Sequence, residues 1–406
     1  MGKYSGLLGM IAILLAAFLF SRNRKAIQKR VIVWGLLLQV GFAFLVLKTP
    51  FGDVFYIISK AVNALLSDSS AGASFVFGEK LGLTGGGFGV IFAFQVLPIV
   101  IFISSLFSIL YYLGVMQLFV KGMALIMQRF MGTSGAESTS VAASIVMGQT
   151  EAPLTIRPFL EKLTMSELFT IMTSGMAHVS GSVMAAYVMI AHVAISHLLT
   201  AVIMTAPATI MLAKMFMPEE GVPLTRGKVD IQVERPGVNL IDAAARGAGD
   251  GLHLALNIAG MLIAFLALVA MVNGGMGWVH SYVRWFPVSL QQVLALVFAP
   301  IAWLLGVDWN DCATVGDLLG TRMVLNEFVA FVDLGQVGST LSKHSFVIAT
   351  FALCGFANLS SIAIQIGGIG ALAPSRKSDL ARLGFKAMIV GTLANFMSAC
   401  IAGMLL

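Results

Sequence analysis

Charge is scarce in this chain. Only 11% of its 406 residues are Asp, Glu, Lys or Arg, against roughly 25% in a soluble domain. That excludes an ordinary water-soluble fold. Cysteine is almost missing. Cys312, Cys354 and Cys400 lie in or beside apolar segments, and their odd number and burial exclude a disulfide framework. No metal-ligand spacing or haem signature accompanies them. Nothing near the N-terminus reads as a cleavable leader. The basic cluster Arg22, Arg24, Lys25, Lys29 and Arg30 follows the first apolar run instead of preceding it, and no small-x-small site is evident. The segment reads as a retained helix with its N-terminus outside. The glycine-rich Leu83–Gly89, LTGGGFG, lacks the Gly-Lys-Ser/Thr ending of a phosphate loop and precedes a span. It reads as a flexible outside loop. The net charge of +6 is no nucleic-acid footprint, because the basic residues sit mostly between apolar runs.

What is abundant is hydrophobic sequence, 58% of the chain. Eight apolar runs recur: Leu7–Phe20, Val31–Leu47, Phe88–Leu113, Leu168–Ile190, Ala194–Met217, Leu252–Val272, Val347–Ile369 and Ala387–Leu406. Several exceed the roughly 20 residues that cross a bilayer; the first needs its flanking residues. Basic loops orient them. Arg22–Arg30, the segment with Lys121 and Arg129, the Pro218–Asn239 loop with Arg226, Lys228 and Arg235, and the Arg376–Lys386 loop all read as cytoplasmic. The stretch 49–87 reads as outside, and both termini fall outside. Two regions remain, Met116–Leu160 and Ser289–Leu334. Each opens with an amphipathic piece, Gln117–Phe130 or Gln292–Leu305, suited to the membrane interface. Each continues into a polar, glycine-containing stretch. Irregular backbone at membrane depth is tolerated only inside protein or beside a cavity, so both read as re-entrant hairpins. The expected fold is an all-α polytopic membrane protein with eight transmembrane helices, two re-entrant hairpins and interfacial helices. The expected boundaries are 1–87 for the N-terminal helices and outside loop, then 88–217 for a first repeat with its hairpin near 135–160. Residues 218–241 form a cytoplasmic loop, and 242–406 a second repeat with its hairpin near 311–336.

The two halves align by the placement of polar residues. Glu151 in GQTEAP and Glu327 in LNEF occupy equivalent hairpins. Further on, Ala177-His178-Val179-Ser180 resembles Ala357-Asn358-Leu359-Ser360, each inside an apolar run beside Gly175 and Gly181 or Gly355. An odd number of spans between the halves inverts the second. Mid-span polar residues beside glycine signal discontinuous helices that bind solute or ion. A carboxylate at membrane depth costs roughly 2.5–3.5 kcal/mol on insertion scales, so it marks a transport path unless a neighbouring helix satisfies it. A carboxylate accepts two hydroxyls at once, as from a ribose, and Gln149 matches the amide edge of a base. Other polar solutes would also match. Arg157 and Arg322 flank the hairpin carboxylates, as ion-pair partners or snorkelling to the interface. No other Lys or Arg lies in these polar segments, which favours a neutral polar solute. An intramembrane enzyme with Glu151 and Glu327 as an acid/base pair is the rival, but no nucleophile–base pair or metal cluster supports it.

Gly148–Pro153 (GQTEAP), Leu325–Leu334 (LNEFVAFVDL) and Cys354–Ile362 (CGFANLSSI) resemble signature segments of the concentrative nucleoside transporter family, in the right order. The resemblance extends over nearly the whole chain. It implies a homotrimer in a bacterial inner membrane, each protomer with a scaffold domain and a mobile transport domain, and symport of a uridine-like nucleoside with sodium or a proton. No cofactor is implied. Gln149, Thr150 and Glu151 would face the base, with Val183, Leu254 and Phe356 beside it. Glu327, Asn358 and Ser361 would hold the ribose. The family's sodium site maps to Ser144, Met147, His178 and Val179. Ser144 stands where the pattern has Asn, and His178 where it has Ser or Thr. Histidine changes charge in the physiological range, so this reading leans to a proton.

Overall fold

The computed structural model describes residues 2–49, 52–82, 91–227 and 237–406. The LTGGGFG segment, Lys228 and Arg235 lie outside the described residues. Within them every regular element is helical. The N-terminal helices are α1 (Gly2–Leu19), α2 (Lys29–Lys48) and α3 (Gly52–Phe77). The helix α4 (Leu97–Tyr112) continues a short Phe92–Gln95 turn. The chain then runs α5 (Val115–Met131), α6 (Gly135–Ser144), a 3-10 limb at Ala152–Lys162, α7 (Met165–Ala177), α8 (Gly181–Ala191) and α9 (Ile195–Phe216). A single long helix, α10 (Leu240–Tyr282), crosses between the halves. A similar order of helices follows: α11 (Leu290–Leu304), α12 (Cys312–Val324), α13 (Glu327–Val337), α14 (Lys343–Leu353), α15 (Leu359–Leu372) and α16 (Lys377–Leu405).

Six stretches are long and apolar enough to cross a membrane among the described residues: Lys29–Lys48, Phe92–Tyr112, Met165–Ala191, Ile195–Phe216, Leu240–Tyr282 and Pro374–Leu405. The other two expected spans are the shorter apolar helix Tyr4–Leu19 and the α14–α15 segment, which its own break divides. The expected re-entrant segments become the pairs α6 with the 3-10 limb, and α12 with α13. The two limb pairs differ for a covalent reason. Pro153 and Pro158 lack the amide hydrogen of a regular α-helix, and Ile156 leaves helical geometry altogether (φ −124°, ψ 18°). Hairpin two has no proline and keeps two α-limbs.

One expectation differs. The stretch 49–87 read as an outside loop, yet it contains the 26-residue α3 and a further turn at Glu79–Gly82. Its apolar residues are interleaved with Ser, Ala and Asp, so no continuous apolar run betrays the helix.

The core gathers α7, α9 and α16, whose side chains are mostly buried, while α1, α2 and α10 present large apolar residues such as Leu15, Phe44 and Ile263 outward. Lipid tolerates such a surface where water would not. Helix α16 packs tightly on the C-terminal end of α7. A Cβ on Gly391 would sit 2.7 Å from Met176 Cβ and 3.2 Å from Ala177 N, so only glycine allows this approach.

Candidate functional site

Both interrupted helices break where the sequence places polar residues. The α7–α8 span opens over His178–Ser180, and the α14–α15 span over Cys354–Asn358. The breaks lie against one another, with the Phe356 amide donating to the His178 carbonyl at 3.3 Å. The hairpin tips reach the same region. Asn326 caps α13 through the Val329 amide at 2.9 Å, which sets Glu327 in the helix's first turn. A carboxylate is favoured there by the orphan amides and the helix dipole.

Glu327 is held from two sides. Tyr187 donates its phenol to Oε1 at 3.1 Å, and Asn358 donates Nδ2–H to Oε2 at 2.9 Å. The Tyr187 ring is fixed by stacking on Phe331, centroids 4.0 Å apart and planes 13° apart. Asn358 caps α15 as well, accepting from the Ser361 amide at 2.9 Å and the Ser360 hydroxyl at 2.7 Å. The string continues across to hairpin one. Gln149 donates to Ser361 Oγ at 3.2 Å and accepts from Gln365 Nε2 at 3.3 Å. Gln365 also donates to the Met172 carbonyl at 3.0 Å. Gly175 makes room for this crossing, since a Cβ there would lie 2.5 Å from Gln365 Nε2.

Gln149, Glu327, Asn358 and Ser361 are therefore joined in one buried polar string. Thr150 packs over Gly368. Glu151 is not buried as expected. It is exposed, accepts from the Gly148 amide at 3.2 Å, and lines a cavity of about 540 Å³ with Met147, Ser180, Ser182 and Leu254. Val183 is buried and Phe356 half-buried. Tyr187 and Gln365 were missed by sequence reasoning. Gln365 carried a signal, a polar amide in the apolar run IAIQIGG, whereas Tyr187 reads as ordinary aromatic packing.

The flanking arginines were expected as ion-pair partners or as snorkelling to the interface. Neither forms an ion pair with a carboxylate among the described residues. Arg157 is exposed at the cavity. Arg322 is fully buried and bonds to the carbonyls of Ala352 (2.6 Å) and Gly355 (3.2 Å) and to Asn395 Oδ1.

A second polar locus lies where the end of hairpin one meets the first break. The Gly181 amide donates to the Val146 carbonyl at 3.1 Å. Ser144 bonds back to the Ser140 carbonyl at 2.9 Å. The carbonyls of Met147 and Val179 accept no hydrogen bond among the described residues. The His178 ring is buried, its Nδ1 2.9 Å from the Ser174 carbonyl.

Two inward hairpins, two broken helices and a polar string at their meeting point define a multi-pass membrane transporter built on a repeat. Three family models cover the chain: "Na+ dependent nucleoside transporter N-terminus" over residues 8–80, "Nucleoside recognition" over 93–194, and "Na+ dependent nucleoside transporter C-terminus" over 197–403. The uncharacterized transporter YutK of Bacillus subtilis is 45% identical over 98% of both chains. Sodium/nucleoside cotransporter 1 of Rattus norvegicus is 40% identical over 98% of this chain and 63% of its own length. The structure of CNTnw in an inward-facing substrate-bound state is 41% identical, covers 100% of this chain and 98% of that one, and superposes with a TM-score of 0.93. The chain belongs to the concentrative nucleoside transporter family. These relatives are transporters, not enzymes.

Proposed function

We propose that this protein carries nucleosides of the uridine type into a bacterial cell across its inner membrane, together with sodium, as a homotrimer. The observation that carries the reading is the uncharged string Gln149–Ser361–Asn358 ending on Glu327. It joins both hairpin tips and contains no cation. An ionised carboxylate offers about four lone-pair positions, and Tyr187 and Asn358 occupy two of them. The remainder suit the paired hydroxyls of a ribose, with Asn358 and Ser361 beside them. Gln149, Thr150 and Glu151 supply donors and acceptors for the base, and Val183, Leu254 and Phe356 its apolar walls.

Sodium suits the second locus better than a proton does. Hard cations take carbonyl and hydroxyl oxygens. The Met147 and Val179 carbonyls and the Ser144 hydroxyl supply those atom types. An imidazolium at His178 would be a buried charge with no carboxylate paired to it among the described residues, which is costly. Two of the three matching family models are described as Na+ dependent, and the rat relative is a sodium/nucleoside cotransporter, which agrees.

Hairpins and broken helices form the moving part in this reading. Residues 1–87 contribute scaffold helices, 88–217 and 242–406 the two repeats, and 218–241 a cytoplasmic loop. CNTnw variants have been solved in outward-facing and intermediate states, which supports movement between inward and outward forms here. A loaded site favours one state only through contacts it makes better there.

The test is radiolabelled uridine uptake into proteoliposomes. Accumulation driven by an inward sodium gradient and competed by other nucleosides is the expected result. Uptake competed equally by unrelated neutral solutes would replace the nucleoside assignment with a broader one.

A further inference from the structure

Between the two loci sits a five-bond joint that neither site uses directly. Asn395, buried on α16, donates Nδ2–H to the Ala177 carbonyl at 2.7 Å and to the Cys354 carbonyl at 2.9 Å. These carbonyls stand at the two helix ends where the breaks begin. One amide thus pins both C-termini, whose orphan carbonyls need a donor. Its Oδ1 accepts from Arg322 Nη2. The orientation of the amide is unambiguous, because arginine only donates and carbonyls only accept. Arg322 in turn donates to Ala352 and Gly355, on either side of Cys354. The residue lies five positions before Glu327 on hairpin two.

We propose that Arg322 and Asn395 are positioning residues that couple the ion locus to the nucleoside string. Arg322 orients the Asn395 amide, and that amide fixes the relative placement of the two breaks. Ala177 leads directly into His178 and Val179, and Cys354 into Phe356 and Asn358. A shift of the Val179 carbonyl toward an ion therefore moves the second break through a rigid joint, with the Phe356–His178 backbone bond as its other strut. A burial argument separates this from simple packing. A fully buried guanidinium satisfied only by neutral oxygens is an expensive way to fill space, and an apolar side chain would fill it at less cost. Coupling of this kind is a shared free energy and is measured as one: each ligand changes the other's affinity by the same factor.

The inference rests on the sodium–nucleoside reading above, and the experiment separates the two. Uridine affinity of purified wild-type protein is measured in saturating sodium and in sodium-free choline buffer; the ratio is the coupling factor. Asn395→Asp keeps the shape and the bond to Arg322 but removes both amide donors. The expected result is a coupling factor at least about fivefold smaller, with sodium-free uridine affinity changed by less than about threefold. Arg322→Lys serves as the second variant, because it keeps the charge and loses the planar fork; it should lower the factor in the same direction. Unchanged coupling in either folded variant overturns the proposal. So does a parallel loss of uridine affinity with and without sodium, which marks a merely structural role. A wild-type protein whose uridine affinity ignores sodium overturns the underlying reading instead.

Discussion

At the scale of single residues, Glu327 is where charge and geometry coincide. Its carboxylate is held at a helix N-terminus by a phenol and an amide, with no arginine or lysine bonded to it among the described residues. Glu327→Gln keeps the shape and removes the charge. Charge-assisted hydrogen bonds are roughly twice as strong as neutral ones, so uridine binding should weaken about tenfold or more at normal expression. Equilibrium binding on the purified variant checks this, and wild-type affinity would remove Glu327 from the ribose site. Tyr187→Phe leaves the charge but frees one oxygen. Because a bond to a charged group contributes about 1.5–3 kcal/mol, some of it recovered by water, the expected loss is about three- to tenfold in the same assay. Gln149 and Ser361 should behave as one unit, since they bond to each other at 3.2 Å. The Gln149→Ala and Ser361→Ala pair is expected to be non-additive in a double-mutant cycle, whereas Glu151→Ala, facing the cavity, should shift selectivity among nucleosides independently. Most of this string was legible, because a Gln, Asn or Glu inside an apolar run is costly enough to stand out. Arg322 was visible but its partners were not. They are two backbone carbonyls beside a break in a different helix and the Asn395 side chain on a third, and no spacing along the chain encodes that meeting.

At the scale of elements, the breaks explain the glycines that flank them. Gly355 sits where three helices converge. A Cβ there would lie 2.3 Å from Asn395 Oδ1 and 2.8 Å from the Ala177 carbonyl. Neither group can withdraw without loosening the joint. Gly355→Ala should destabilise by about 1–3 kcal/mol, as overpacking usually does, and abolish most uptake. Gly367→Ala on α15 is the matched control, for a Cβ there meets nothing within 4 Å. It should be neutral or raise the melting temperature slightly, since alanine favours helix. Thermal unfolding in detergent compares the two, and equal melting temperatures would deny the convergence at Gly355. The paired limbs and the broken spans were readable because polar residues interrupt apolar sequence in each. The helix α3 was not, because its apolar residues are diluted by Ser, Ala and Asp and never form a run. The 3-10 limb of hairpin one follows from Pro153 and Pro158, a local rule that sets its backbone without any tertiary partner.

At the scale of the whole molecule, the question is which gradient the moving part uses. The sequence alone leaned to a proton through His178, because a titrating side chain stands where the family pattern has Ser or Thr. The fold buries that ring, with the Ser174 carbonyl 2.9 Å and the Ser174 hydroxyl 3.4 Å from its Nδ1. Charging it there requires a counterion, and no carboxylate pairs with it among the described residues. Sodium needs no titrating group; it needs oxygens, and the adjacent Met147 and Val179 carbonyls have capacity to spare. If the ring only fills space and caps a carbonyl, restoring a hydroxyl should help the ion. His178→Ser is therefore expected to keep sodium-driven uridine uptake and to lower the sodium concentration for half-maximal uptake, because it adds an oxygen of the type a hard cation prefers. Neither wild type nor variant should accumulate uridine from a proton gradient in sodium-free proteoliposomes. Proton-driven accumulation by the wild type, lost in His178→Ser, would give the imidazole the role of the cation and return the coupling to the proton that the residue type first suggested.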